Sequence, residues 1–338
     1  MPVVWSDRCL LHEPREEIWV GVPTPAAETP GRIERIREAL ASARFVEPEP
    51  HDDSALRAVH DEALLAYLAS AWDEWVNAGL TGDPGQQRVV PYVFAHAALG
   101  TVLEEPVAVW ARPGYFAYDT MTLIGPGTWE AARAAVDAAL TAADLVREGA
   151  PAAYACVRPP GHHACRSAFG GSCYLNNAAC AAVALGPARV AVLDVDAHHG
   201  NGTEQVFRDG DEVVVGSVHV DPLAGWFPHF LAAAGEGPGS KNVPLAPGSG
   251  DEEWLAAVRE LTGWVRDQRA EALVVSLGVD AAAEDPESPL EVTRDGFRET
   301  GALLGALGLP TVFVQEGGYH GAIGDLVRET LLGFEGAR

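Results

Sequence analysis

The sequence predicts an α/β fold, a single domain built on an open parallel β-sheet flanked by helices on both faces. Three observations carry that prediction. Short runs of Val, Ala, Ile and Leu alternate with longer stretches of helical periodicity. The residues capable of chemistry cluster just after the short runs rather than within the helices. No linker or composition break divides the 338 residues, although length alone permits one large domain or two small ones.

Taken in chain order, the segment MPVVWSDRCLLHEP is interrupted by charges and prolines before a signal-peptide core can form. Helical periodicity then runs through Gly31–Ala43 and Ser54–Ala78. Residues 81–128 are rich in Gly, Pro and aromatics, with weak periodicity, and read as a rim or interface insertion. A long Ala-rich helix follows over Thr128–Glu148, with Thr128 as its capping residue. Apolar runs at Ala153–Val157, Arg189–Val195 and Glu212–Val220 read as strands buried on both faces. Next come a helix over Asp251–Arg269, opened by Gly250-Asp251, and a strand over Ala272–Leu277. A helix over Arg294–Leu307, a strand over Thr311–Val314 and a helix over Ala322–Leu332 close the chain.

Composition narrows the function classes. Hydrophobic residues make up 48% and charged residues 21%, which is a globular composition. The 23 basic and 48 acidic residues give a formal net charge of -25. Such a chain lacks the positive footprint that a nucleic-acid backbone or an anionic membrane surface requires. No apolar run approaches the roughly 18 residues of a membrane span. The five cysteines (Cys9, Cys156, Cys165, Cys173 and Cys180) form no CxxC pair and no even-numbered framework. They point to a reduced, soluble, cytoplasmic protein, with Cys173 bordering the site and the rest acting as small hydrophobes.

Four strand ends deliver polar clusters to one sheet edge. The first runs into Arg158-Pro-Pro-Gly-His162-His163, the second into Asp196-Ala-His198-His199-Gly-Asn201. The third runs into Gly278-Val-Asp280 and Asp285-Pro286, the fourth into Gln315-Glu316-Gly-Gly-Tyr319. Asp196, His198 and Asp280 form a three-ligand set with no thiolate and an open position, as catalytic zinc sites have. Fe(II) and Mn(II) also suit such a set. A neutral histidine of the His162-His163 pair, beside that metal, can take a proton from water and return one to a leaving amine. The Tyr319 hydroxyl can donate to a carbonyl oxygen as it gains charge. Together these describe metal-assisted hydrolysis of an amide.

The four clusters, in this order, resemble the zinc-dependent histone deacetylase superfamily. Gly127-Thr128-Trp129-Glu130, Ser217-Val-His-Val-Asp-Pro222, Phe227-Pro-His-Phe230 and Gly114-Tyr-Phe116 resemble its bacterial acetylpolyamine amidohydrolase branch. The likeness spans about Ser6 to Leu332 and implies the arginase/deacetylase-like fold. It implies Asp196, His198 and Asp280 as zinc ligands, His163 as general base and acid, and His162 as its electrostatic partner. Tyr319 becomes the transition-state donor, Asp194 the buried support of His162, and Asn201 the partner of His163. Asp194, Asp196, His198, Ser217 and Val218 match a potassium site, and Phe207, Gly210 and Val213 a second one. Gly171 and Phe227 match the tunnel walls, with Tyr115 and Asp119 at the rim. A homodimer formed through the 81–128 insertion also follows from the resemblance.

Three tunnel and rim positions depart from the family pattern. Ser172 stands where the family has an aromatic tunnel wall, which implies a wider tunnel. Trp110 and Met121 stand where polyamine specialists carry paired acids, leaving Asp119 as the nearby carboxylate. The expected substrate is therefore a small N-acylated amine: an acetylpolyamine, an acyl-lysine or a biosynthetic intermediate. Two other readings compete. A non-catalytic, zinc-holding protein that captures acylated ligands conflicts with the retained His162, His163 and Tyr319. An arginase-like ureohydrolase needs a second-metal aspartate that Asp196-Ala-His198-His199-Gly-Asn201 lacks.

Overall fold

The computed structural model describes residues 1–100, 102–186, 189–230 and 239–338. Among the described residues, ten strands fall in two sheets. They are β1 (Pro2–Val4), β2 (Glu16–Trp19), β3 (Val22–Pro25), β4 (Arg44–Val46), β5 (Ala152–Ala155), β6 (Val190–Asp194), β7 (Val213–Val220), β8 (Ser240–Leu245), β9 (Ala272–Leu277) and β10 (Thr311–Gln315). The helices are α1 (Pro30–Ala39), α2 (Ser54–Val59), α3 (Glu62–Asn77), α4 (Pro113–Phe116), α5 (Thr128–Arg147), α6 (Asn177–Ala184), α7 (Asn201–Phe207), α8 (Asp251–Asp267), α9 (Arg294–Gly305) and α10 (Ile323–Ala337).

The main sheet has eight strands in the order β4-β1-β5-β10-β9-β6-β7-β8, and β2 and β3 form a separate antiparallel hairpin. Every pairing in the main sheet is parallel. Parallel pairing requires crossovers, and the helices that make them cover both faces. Helices α5 and α6 pack together and against the central strands, while α1, α8, α9 and α10 form the other helical group. That explains why β5, β6, β9 and β10 are buried at every position.

The order of the strands places the site. β5, β10, β9 and β6 are consecutive neighbours, so four loops from distant parts of the sequence leave one short stretch of sheet edge side by side. A second apolar core, built on α2, α3 and α5, supports the loops from below. There Tyr67 stacks on Phe116 with ring centroids 4.5 Å apart, fixing the segment that leads to Tyr118 and Asp119.

Several boundaries differ from the sequence expectations. The run over Ser54–Ala78 is two helices, because the chain extends at His60 and restarts after Asp61. Thr128 is not a cap: Gly127 occupies that position in left-handed conformation, and Thr128 Oγ1 instead accepts from Gly125 N–H and meets His12. Gly250 likewise precedes α8, and the Asp251 carboxylate accepts from Thr293 instead of capping its own helix. Strands β1, β4 and β8 and helices α6 and α7 were not anticipated. The first two strands are only three residues each, and α6 is so apolar that it carries no amphipathic signal.

Candidate active site

Asp194 ends β6, and Asp196 and His198 follow on its exit loop. Adjacent β9 is in register, with Asp194 opposite Ser276, and its exit loop carries Asp280. His198 Nδ1 lies 3.3 Å from Asp196 Oδ1 and 3.1 Å from Asp280 Oδ2. One donor atom from each of the three residues lies within 4.8 Å of the others. The other ring nitrogen, Nε2, is 3.0 Å from the Glu287 carbonyl, so it donates there and leaves the Nδ1 lone pair facing the carboxylates.

Two carboxylates buried this closely oppose each other. Burial, and then the Asp196 charge, push Asp280 up to about 7. Asp196 is held well below the ordinary range because His162 and His198 outweigh its burial. A divalent cation relieves that arrangement, and the donor set, one imidazole and two carboxylates, suits a catalytic metal. The close approach also explains Gly317. A Cβ there would lie 2.3 Å from Asp280 Oδ2 and 2.5 Å from Asp196 Oδ2, so the glycine is needed for space beside the carboxylates.

Loop 158–163, leaving β5, supplies the histidine pair. His162 Nδ1 sits 2.9 Å from Asp194 Oδ2, and His163 Nδ1 sits 2.6 Å from Asn201 Oδ1. Only a ring N–H can donate to an amide oxygen, so His163 keeps its Nε2 lone pair free for a proton. Burial would lower the His162 pKa, but Asp196 and Asp194 raise it to about 10. His163 goes the other way: burial, then the charges of His162 and His198, hold it well below the ordinary histidine range. Two adjacent imidazoles thus have opposite protonation preferences, the pattern that separates acid from base roles.

The loop leaving β10 supplies Tyr319. Its N–H and that of His320 both donate to Asp285 Oδ2, at 2.7 and 3.0 Å, and Gly317 N–H donates to Asp196 Oδ2 at 2.7 Å. His163, His198, Gly171, Ser172, Phe227 and Tyr319 line one pocket. Gly171 is left-handed and pressed against His163, where a Cβ would lie 2.3 Å from the ring. Phe227 meets the His163 ring edge-on, with centroids 4.8 Å apart.

The chain belongs to the histone deacetylase family. A family profile described as histone deacetylase domain matches residues 26–332. Acetylpolyamine amidohydrolase 1 of Pseudomonas aeruginosa is 39% identical over 99% of both chains. Acetylpolyamine amidohydrolase of Mycoplana ramosa is 37% identical over 94% of this chain and 95% of its own. A crystal structure of acetylpolyamine aminohydrolase from Burkholderia pseudomallei superposes with a TM-score of 0.93 at 36% identity, covering 100% of this chain and 99% of that one. The chain is accordingly an amide hydrolase of the deacetylase type, in its bacterial acetylpolyamine amidohydrolase-like branch.

Within this deacetylase frame, some rim residues sit differently from the sequence expectation. Tyr115 does not line the pocket; it packs on the second core, edge-on to Phe116. Asp119 is not a free rim carboxylate. It accepts from Gly171, Met121 and Thr122 N–H groups and from the Thr122 hydroxyl, holding the Gly171 loop in place. Tyr118, which was not anticipated, donates to the His163 carbonyl at 2.9 Å and stacks on Phe227. Cys173 is buried within reach of His162 and Glu316. Ser217 pairs in register with Asp194, and its hydroxyl sits 2.8 Å from His219 Nδ1. Val218 follows within β7, Phe207 ends α7 and meets Gly210 N–H, and Val213 begins β7.

The pocket wall carries three glutamates that sequence reading missed: Glu17 on the hairpin strand β2, Glu28 before α1 and Glu287 after Asp285-Pro286. Burial, then the charges of Glu287 and Asp119, push Glu17 up to about 7. The sequence reading placed acids only on the 81–128 segment, and Glu17 arrives from elsewhere.

Proposed function

We propose that the chain releases acetyl, or another short acyl group, from N-acylated amines that carry a second, positively charged nitrogen. The observation that carries this reading is the presence of Glu17 and Glu287 in the wall of the pocket that His163, Tyr319 and His198 also line. An amide seated beside His163, His198 and Tyr319 leaves the rest of the amine among the other lining residues, Met121, Phe227 and the two carboxylates. A cation there is favoured over a neutral group by ordinary charge complementarity. Acetylpolyamines fit this description, and the names of the relatives agree with it.

Asp196, His198 and Asp280 would hold the metal, with zinc preferred for this imidazole–carboxylate set. When bound there, it polarises the amide carbonyl and makes a water acidic enough to react near neutral pH. His163 Nε2 accepts the proton of the attacking water and returns it to the leaving nitrogen. His162, held by Asp194, places positive charge beside the developing anion. Tyr319 donates its hydroxyl proton in a hydrogen bond to the carbonyl oxygen. Gly171 and Phe227 exclude water along the chain of the substrate.

Several finer assignments belong to the same proposal. Asp194, Ser217, Val218 and the backbones of Asp196 and His198 would bind structural potassium, with Phe207, Gly210 and Val213 forming a second site. The exposed Tyr92, Leu99, Val102, Val107 and Trp110 support a homodimer through the 81–128 insertion. All five cysteines are free thiols, which agrees with a reducing cytoplasm. Among the described residues no helix is long and apolar enough to cross a membrane.

The test is turnover across acetylated polyamines, acetyl-lysine peptides and uncharged N-acyl amines, with and without chelator. Chelator-sensitive turnover that peaks on the cationic amines, and that drops by about 10²-fold or more in Tyr319→Phe, supports the proposal. Equal rates on cationic and uncharged amines would remove the charge-recognition part. Full activity in Tyr319→Phe would remove the mechanism.

A further inference from the structure

In the wall of the pocket, the buried carboxylate of Glu28 joins two arginines that no catalytic step uses. Glu28 Oε1 accepts from Arg32 Nη1 and from Arg158 Nε, both at 2.9 Å, and Oε2 accepts from Arg158 Nη2 at 2.6 Å. All three side chains are almost fully buried. Burial alone would push the Glu28 carboxyl up, yet Arg158 and Arg32 beside it hold it at about 2, so it is an anion at working pH. Arg158 opens the loop that reaches His162 and His163, and its other nitrogen, Nη1, donates to the Cys9 and His12 carbonyls. Arg32 grips the loop of Tyr319. Its Nε donates to the Gly318 carbonyl at 2.5 Å and its Nη2 to the Glu316 carbonyl at 2.6 Å. The guanidinium carbon also lies 4.5 Å from the Tyr319 ring centroid.

We propose that Glu28 is a positioning residue that, through Arg158 and Arg32, locks the His162-His163 loop and the Tyr319 loop in one relative placement. The two loops also meet directly, where Glu316 Oε2 accepts from Gly161 and His162 N–H groups, at 2.7 and 3.2 Å. That contact fixes the start of the Tyr319 loop. Arg32 spans the loop, from the Glu316 carbonyl to the Gly318 carbonyl next to Tyr319 itself. A flexible Lys cannot replace Arg32, because its single ammonium cannot span two carbonyls and a carboxylate in a planar fork. The inference rests on the roles given above to His163 and Tyr319.

The experiment uses Arg32→Lys and Glu28→Gln in the metal-loaded protein, each alone and in a Tyr319→Phe background. Arg32→Lys is expected to lower kcat about tenfold or more with KM within about twofold, since a transition-state contact is loosened. Amide hydrogen exchange should rise over residues 316–320 and stay unchanged in the strands. In the Tyr319→Phe background the same substitution should cost less than about twofold, because the group it positions is gone. An equal loss in both backgrounds, or unchanged kcat in the single variants, overturns the clamp while leaving the proposed function standing. A fully active Tyr319→Phe overturns the function itself. If Glu28→Gln does not fold, Arg32→Lys carries the test through its exchange pattern and coupling.

Discussion

His163 directs Nδ1 at the side-chain oxygen of Asn201, 2.6 Å away, whereas its neighbour His162 directs Nδ1 at the carboxylate of Asp194. A neutral amide orients the ring without adding negative charge. A carboxylate in its place would stabilise the imidazolium and raise the pKa of the base. Asn201→Asp should therefore move the acid limb of the kcat/KM profile upward by about one pH unit, because more of the enzyme then carries a protonated base. Profiles of both proteins on one substrate decide it. An unmoved limb would mean that a group other than His163 controls that limb.

Recognition of a cationic amine should also depend on pH, with a definite sign. Glu17 is raised to about 7 by burial and by the neighbouring Glu287 and Asp119 carboxylates. Above that pH it is an anion and attracts an ammonium; below it the charge is lost. KM for a cationic N-acetyl amine should fall as pH rises through 7, while KM for an uncharged N-acyl amine should not. Glu17→Gln should remove this dependence and raise KM for the cationic substrate alone, by about 3- to 10-fold for a partly solvated charge pair.

The chemical part of the site was legible because each strand end announces itself in one contiguous motif. Asp196 and His198 are two residues apart, and His162 and His163 are adjacent, so local sequence shows their joint presence. Asp280 and Tyr319 became partners through the parallel sheet, which strand–helix alternation already implied. The acidic part of the pocket wall was not legible in the same way. Glu17 comes from a short hairpin whose Val and Pro content gives no alternating pattern, and only the folded chain sets it opposite Glu287. Asp119 looked like a rim acid because its four hydrogen bonds go to backbone and side-chain groups that sequence cannot place. Arg32 and Glu28 carry no sequence signal of their role, since an i,i+4 pair of opposite charges does not show that both are buried.

Two neutral histidines link stability to pH. Burial lowers His12 to about 3 and His60 to about 4. His60 has both nitrogens occupied, with Nδ1 at the Cys165 carbonyl and Nε2 accepting from Asn176 N–H. Each has a folded pKa below its unfolded value, so its contribution is complete above about 6.5 and is lost as pH falls toward the folded value. At pH 5 the two together should reduce unfolding free energy by about 2–4 kcal/mol relative to pH 7.5. Urea midpoints of the chelated protein across that range would measure it. His12→Asn should flatten the dependence, and a midpoint unchanged between pH 7.5 and 5 would contradict the neutral assignments.

Ser172 tests whether the tunnel width selects substrate. It already occupies a left-handed conformation, with φ of 61°, and its N–H donates to Thr122 Oγ1 at 2.9 Å. A phenylalanine there inherits the same backbone demand, so added strain comes from the ring alone. The ring would enter the pocket that Ser172 shares with Phe227 and Met121. It would restore apolar contact to a linear chain while removing room for a branched or aromatic group. Ser172→Phe should keep or raise kcat/KM on a linear N-acetyl amine and lower it about 10- to 100-fold on a bulky N-acyl or aromatic amine, the range that one misfitted group is worth in an apolar pocket. Selectivity that stays constant between the two proteins would assign the discrimination to the acidic residues Glu17 and Glu287 rather than to position 172.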